Sequence, residues 1–330
     1  MNTPASEDLS TALGDPDPEK RQIALLALEE GAGPEVVDAL VLALEDSDAV
    51  VRKLALGLLE EIGDARALRP IILRLTDSDP GVREAASSAL HGFRGPEALA
   101  AFIEGMSARD PEARSAVIAG LRDLKDARAL SPLLDALADE AAAVRREAVI
   151  ALAHLRSPES IEPLRARILD EDAGVRRVAV GALSYFGGAA LLADFSKALE
   201  DTDFRVRAET AIALGRSGLE GAIPGLVLRL SDTHWQVQKE AIAALARLSA
   251  ASAIPDLIPF LGSSVADLRR AAASALGELR SERALGPLRE LTTDPDAEVR
   301  KAARRALTAL GSQVTTEGPS HDFRNRDKSG

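Results

Sequence analysis

The 330-residue chain has no cysteine. That excludes disulfides, thiolate metal sites and cysteine nucleophiles. Aromatic residues amount to only 3%, with one tryptophan and one tyrosine. A core must therefore come from Ala, Leu, Val and Ile, which suits thin helices packed closely. No apolar run approaches the roughly 20 residues that span a membrane. The start, Met1 to Asp8, is acidic and lacks an apolar segment, so no secretory signal is expected and a cytoplasmic, soluble protein is the default. Positive charge is also in deficit. Forty Lys and Arg face 52 Asp and Glu, giving a net charge of −12, which disfavours wrapping on nucleic acid or anionic lipid.

What the sequence has is a repeat. Arg21, Arg52, Arg83, Arg114, Arg145, Arg176, Arg207, Gln238, Arg269 and Arg300 follow one another at one constant interval, without an insertion anywhere. A leucine follows each of them at the same distance, from Leu28 and Leu59 through Leu152 and Leu183 to Leu307. Numbering the arginine column zero, valine is usual at −1, alanine at +3 and leucine at +7. These steps make one apolar stripe on a helix, here named B. Aspartate recurs at −4 in seven repeats, including Asp48, Asp79, Asp172 and Asp203. It can accept hydrogen bonds from the free N–H groups at the start of helix B and suits the dipole there. A second stripe, running through Leu40, Ile71, Phe102 and Leu133, marks a preceding helix A. Prolines at Pro70, Pro132, Pro163 and Pro287 fall inside A helices and are expected to bend them. A unit this small cannot bury its own apolar face, so neighbours must stack. The expected fold is all-α, a single right-handed α-solenoid of about ten helix pairs over residues 7–311, with a loose start (1–6) and a disordered polar tail (312–330).

The run from Asp48 through Val51-Arg52 to Ala55, echoed from Asp79 through Val82-Arg83 to Ala86, resembles the short HEAT-like repeat of phycobilisome-lyase type. The resemblance covers nearly the whole repeat region. It implies a solenoid with A helices on the convex side and B helices on the concave side, and it implies no single activity. It also implies that the −4 aspartates and the column arginines (Arg52, Arg83, Arg145, Arg176 and Arg207, with Asp48, Asp79, Asp172 and Asp203) tie neighbouring repeats together, which leaves the arginines unavailable to a ligand. Ala141, His234 with Gln238, and Val265 break that pairing, so altered stacking is expected there. Relatives of this class include iron-dependent deoxyhypusine hydroxylases, which need His-Glu pairs. None of His91, His154, His234 and His321 is followed by glutamate. Bilin lyases and HEAT-like alkylpurine DNA glycosylases are weaker alternatives, because no residue marks a tetrapyrrole site and no inward carboxylate accompanies Trp235.

Helical phase puts positions −3, +1 and +8 opposite the apolar stripe. The +1 column includes Lys53, Arg146, Arg177, Lys239, Arg270 and Lys301, so six of its ten positions are basic. The −3 column holds Phe204 and Trp235 in consecutive repeats, where adjacent helices about 10 Å apart would make the rings neighbours. Gly215 and Ala246, at position +8 beside them, are small and are expected to leave room. Phe204, Trp235, Arg146, Arg177, Lys239, Arg270 and Lys301 are therefore the candidate partner-binding residues. The expected function is a scaffold, adaptor or assembly chaperone that is monomeric on its own and binds an acidic protein on the concave face, with no catalytic residue, cofactor or metal.

Overall fold

The computed structural model describes residues 9–28 and 33–311. The expected loose start, Glu29 and the polar tail with Phe323 lie outside the described residues. All regular structure among the described residues is helical. The chain divides into two compact units, one up to Gly187 and one from Gly188. Those two glycines have φ of 70° and 105°, a region that side chains with a Cβ rarely enter. Each unit is an α-solenoid of A–B helix pairs.

In the first unit the B helices are Pro18–Leu26, Ala49–Ile62, Pro80–Ala89, Pro111–Leu124, Ala142–Leu155 and Ala173–Leu183. In the second they are Phe204–Ser217, Trp235–Arg247, Ala266–Glu278 and Ala297–Ala309. Within each unit, consecutive B helices pack on one another and on the A helix of their own repeat. The +7 leucines form the floor of this packing: Leu59, Leu90, Leu152, Leu183, Leu214, Leu245 and Leu276 are all fully buried. Each such burial is worth about 1.5–3 kcal/mol in transfer free energy.

The A-helix prolines stand at the starts of their α-helices, not in the interior where a bend was expected. Leu68–Arg74, Leu130–Ala136, Ile161–Ala166 and Leu285–Glu290 each follow a one-turn 3₁₀ segment, and the proline is the third residue of the α-helix. In the first turn a missing N–H costs no intrahelical bond. The prolines mark where the A helix begins.

Packing also explains substitutions that the period alone does not. Phe102 occupies a position held by leucine or isoleucine in every other repeat except that of Phe195, and it is fully buried. Opposite it stands Gly120, where a Cβ would come within 2.7 Å of the Phe102 ring. The small side chains at position +8 in the second unit have a similar cause. A Cβ on Gly215 would lie 2.9 Å from the Ala244 Cα, and one on Gly277 would lie 2.7 Å from the Ala306 Cα. Gly215, Ala246 and Gly277 are buried. They let the next B helix approach closely rather than leave room beside an aromatic ring, so position +8 does not face outward in these three repeats, whereas Thr308 in the last described repeat is exposed.

The third repeat is irregular. Pro80–Ala89 gives way to a 3₁₀ turn at Leu90–Gly92, followed by the fully buried Phe93. The next A helix, Gly95–Gly105, starts at a glycine with φ of 89° and has no 3₁₀ lead-in. Pro80–Ala89 touches the following B helix only sparsely.

Candidate binding site

The −4 aspartates cap their own helices. Asp48 Oδ1 accepts from the N–H groups of Val50 and Val51 at 2.9 and 3.0 Å. Asp79 accepts from Val82 at 3.0 Å, Asp172 from Val175 at 2.9 Å and Asp203 from Arg205 at 2.8 Å. Of these four, Asp48 also reaches a neighbouring repeat, through Gln22 Nε2 at 3.0 Å rather than through an arginine.

The column arginines take a different carboxylate. Their partner lies downstream, at position −6 of the next repeat. Arg21 pairs with Asp46, Arg52 with Asp77 and Arg114 with Asp139, all at 2.7–2.8 Å. Arg145 pairs with Asp170, Arg207 with Asp232 and Arg269 with Asp294 at 2.7–2.8 Å. Five of the six are bidentate, with Nε and Nη2 each donating to one carboxylate oxygen, as in Arg145 at 2.9 and 2.8 Å. The remaining nitrogen, Nη1, donates to the backbone carbonyl of position −6 in the arginine's own repeat, as from Arg145 to Asp139 and from Arg176 to Asp170. The −6 aspartate meanwhile turns its own loop by accepting from the N–H two residues on, as Asp170 does from Asp172 at 3.0 Å. One arginine thus staples two successive loops, and the ladder inferred from the −4 aspartates is in fact built on the −6 aspartates. Ala141 illustrates the difference: helix Ala142–Leu155 lacks a side-chain cap, yet its arginine, Arg145, makes the most buried pair.

Two rungs depart from the pattern. Gln238 meets Ser263, so both charges are lost together, and Gln238 Nε2 keeps only the bond to the Asp232 carbonyl at 2.8 Å. Arg83 meets Ala108, so the arginine is kept without its carboxylate. Its Nη1 donates to the carbonyls of Asp77 and Ser78 at 2.8 and 3.3 Å. Arg83 is therefore not an inter-repeat tie.

The ladder carboxyls are held below the ordinary aspartate value. At Asp46, Asp77, Asp139, Asp170 and Asp232 burial is the largest influence and pushes upward; the arginine's hydrogen bonds and charge, with a backbone N–H, more than offset it. At Asp294 the bonds from Arg269 lead. A carboxyl depressed in the folded state contributes stability above its unfolded pKa and loses it as pH falls through the folded one. The melting temperature should therefore drop as pH is lowered from about 5 to about 3, and the drop should be shallower in Asp170→Asn. Equal melting temperatures at the two pH values would contradict a working ladder.

The candidate partner-binding residues fall in both units. In the first, Arg146 and Arg177 are exposed and have no carboxylate at ion-pair distance among the described residues. In the second, Lys239 pairs with Glu240 at 3.0 Å, Arg270 with Asp267, and Lys301 with Glu298 at 3.6 Å. Three of the basic side chains at +1 are thus partly neutralised within their own helices. Phe204 stacks face to face on His234, with centroids 4.5 Å apart and planes 3° apart. His234 stands where other repeats have the capping aspartate, and its ring joins repeats seven and eight instead. Trp235 opens its B helix and is 36% exposed, with Lys239 Nζ 5.9 Å from the ring centroid, a cation–π arrangement. The two aromatics therefore do different work: Phe204 seals a repeat seam and Trp235 remains open.

The first unit also holds a polar cluster on its B helices. His91 Nδ1 lies 2.7 Å from Asp123 Oδ2, and Arg122 Nη1 lies 3.4 Å from Glu147 Oε2. Burial lowers the His154 pKa, and the charges of Arg122 and Lys125 lower it further. Asp123 sits just beyond the +8 column, so the column did not reveal it as the partner of His91. Among the described residues no group of three or more His, Asp or Glu could hold a metal ion, and no helix is long and apolar enough to cross a membrane.

This chain belongs to the HEAT repeat family. The family model for HEAT repeats matches residues 6–91, 37–107, 68–143, 99–184, 167–233 and 223–308. No curated protein matches the chain. Among solved structures, an engineered protein is 24% identical, with 94% of this chain and 100% of that one covered at a TM-score of 0.50. YibA of Escherichia coli is 19% identical, with 91% and 98% covered and a TM-score of 0.54. Kap95p, whose binding induces the switch loops of RanGDP to adopt the GTP-bound conformation, is 16% identical over 92% of this chain and 49% of its own length, at a TM-score of 0.65. At these identities the likeness is one of fold.

Proposed function

We propose that the protein is a protein–protein interaction module, a scaffold, adaptor or assembly chaperone, that takes an acidic partner on the B-helix faces of its repeats. The observation that carries this reading is the pair Arg146 and Arg177. They hold the same position in consecutive repeats, both exposed and without a neutralising carboxylate among the described residues, in a chain of net charge −12. Unpaired guanidinium groups on rigid helices can steer and grip carboxylates without first breaking an internal bond. Trp235 adds an open apolar ring of the kind that anchors interfaces. Kap95p, a neighbour in fold, is also found in complex with Nup1.

Trp235→Ala should weaken partner binding by at least about 1 kcal/mol. Arg146→Glu together with Arg177→Glu should slow association, and added salt should mimic that effect. Stability should barely change in either variant. The test is to isolate the partner from the native host and titrate the variants by calorimetry and stopped flow. A partner that binds both variants as tightly as the parent would remove the B-helix face as the working surface.

A further inference from the structure

The broken rung at Arg83 has the form of an incomplete binding site. In the five bidentate rungs the Nε/Nη2 edge of the arginine is closed by a carboxylate of the next repeat, at 2.7–2.9 Å. At Arg83 the equivalent position of the next repeat is Ala108, which has no carboxylate to offer. Arg83 is half-buried, its Nη1 is anchored on Asp77 and Ser78, and no carboxylate reaches it among the described residues. The guanidinium is anchored as in the filled rungs, with its acceptor missing. The contrast with Gln238 and Ser263 sharpens the point: there the charge left with its partner, whereas here the cation stayed.

A second feature converges on the same place. A surface groove of about 400 Å³ runs between the A helices Leu68–Arg74 and Gly95–Gly105, and Ala108 is part of its wall. Ile72, Leu73, Ala101 and Gly105 give it an apolar lining. Arg69 and Glu104, paired with each other at 2.6 Å, also line it, and Arg83 itself is not among the lining residues. Leu73 is 63% exposed, and Leu42, its counterpart one repeat earlier, is 71% exposed. At the corresponding seam between repeats seven and eight, the groove holds both Arg207 and its partner Asp232. The seam at Arg83 is also the irregular one, where helix Pro80–Ala89 barely touches its successor.

We propose that the seam between the third and fourth repeats is a docking site for an acidic polypeptide segment of a partner protein. An aspartate or glutamate of that segment would enter the Nε/Nη2 fork of Arg83, completing the broken rung, while a neighbouring aliphatic side chain lies along Ile72, Leu73 and Gly105. A carboxylate is favoured over a phosphate because this fork, in this setting, is filled by carboxylates wherever it is filled. The site lies at the A–B loops and A helices, so it does not depend on the B-helix face reading.

The experiment uses the full chain and fluorescein-labelled octapeptides of Ala and Gly that carry one Leu and one Asp at varied spacing, with Asn-for-Asp and phosphoserine-for-Asp counterparts. Fluorescence polarisation should show the Asp peptides binding at least tenfold more tightly than the Asn peptides at one or more spacings. Ala108→Asp, which rebuilds the rung found elsewhere, should fold normally and lose that binding at least tenfold, as should Arg83→Gln. Leu73→Ser should weaken it severalfold. Binding that is absent from the parent, equal for Asn peptides, or unaffected by Ala108→Asp would overturn the proposal. Tighter binding of the phosphoserine peptides would assign the fork to a phosphate instead. Self-association of the parent that Ala108→Asp abolishes, read by sedimentation equilibrium, would replace the partner with a second copy of this chain.

Discussion

Arg145→Ala is expected to cost about 3–5 kcal/mol of folding free energy. The side chains of Arg145 and Asp170 are 6% and 3% exposed, and the pair is bidentate. Removing the guanidinium strands a buried carboxylate and leaves the Asp139 carbonyl without its donor. Arg167 Nη1, at 3.4 Å from Asp170 Oδ2, can relieve part of this, which favours the lower half of the range. Arg83→Ala is the internal control. It removes two bonds to backbone carbonyls and no inter-repeat pair, so its cost should stay near about 1–2 kcal/mol. Denaturant unfolding of the two variants, followed by circular dichroism, decides the matter. Equal losses would mean that the loop staple contributes little and that stacking alone sets repeat stability.

Leu152→Ala should cost about 2–5 kcal/mol, through lost transfer energy and an unfilled cavity. Leu152 is fully buried in helix Ala142–Leu155, which packs on the B helices before and after it. Leu307 is also buried, at 2% exposure, but its helix, Ala297–Ala309, is the last one described. A helix packed on a single B-helix neighbour can relax into a cavity more readily, so Leu307→Ala should cost less. Melts in guanidinium chloride compare the two directly. A larger loss at Leu307 than at Leu152 would contradict nearest-neighbour stacking as the source of stability.

The period, the two apolar stripes and the capping aspartates were legible in the sequence because each depends on a fixed spacing within one helix. The partner of the arginine was harder to read. Aspartates stand at both −4 and −6, and only folding shows that −4 points into its own helix start while −6 reaches the preceding repeat. The −6 column is nonetheless the fuller one: Asp15, Asp46, Asp77, Asp139, Asp170, Asp201, Asp232 and Asp294. Its gaps at Ala108 and Ser263 were the available signal. The candidate surface was legible only in part. Helical phase placed Arg146, Arg177 and Trp235 outward. It misplaced Gly215 and Gly277, whose role is set by how closely two helices approach, and Phe204, whose partner His234 belongs to the next repeat. Such pairings depend on the distance between neighbouring repeats, which a single helical projection does not contain.

The arginine staple also acts as a ruler. One end of each guanidinium reaches back to the carbonyl of its own −6 position and the other reaches ahead to the carboxylate of the next, as Arg145 does with Asp139 and Asp170. The two reaches together span the repeat. An extra residue anywhere between one −6 aspartate and the next would slide a carboxylate off its fork or a carbonyl off its donor. A chain measured in this way can gain or lose whole units at little local cost, but not single residues. The places with most slack for an added residue are the rungs at Ala108 and Ser263, where no carboxylate is there to be displaced.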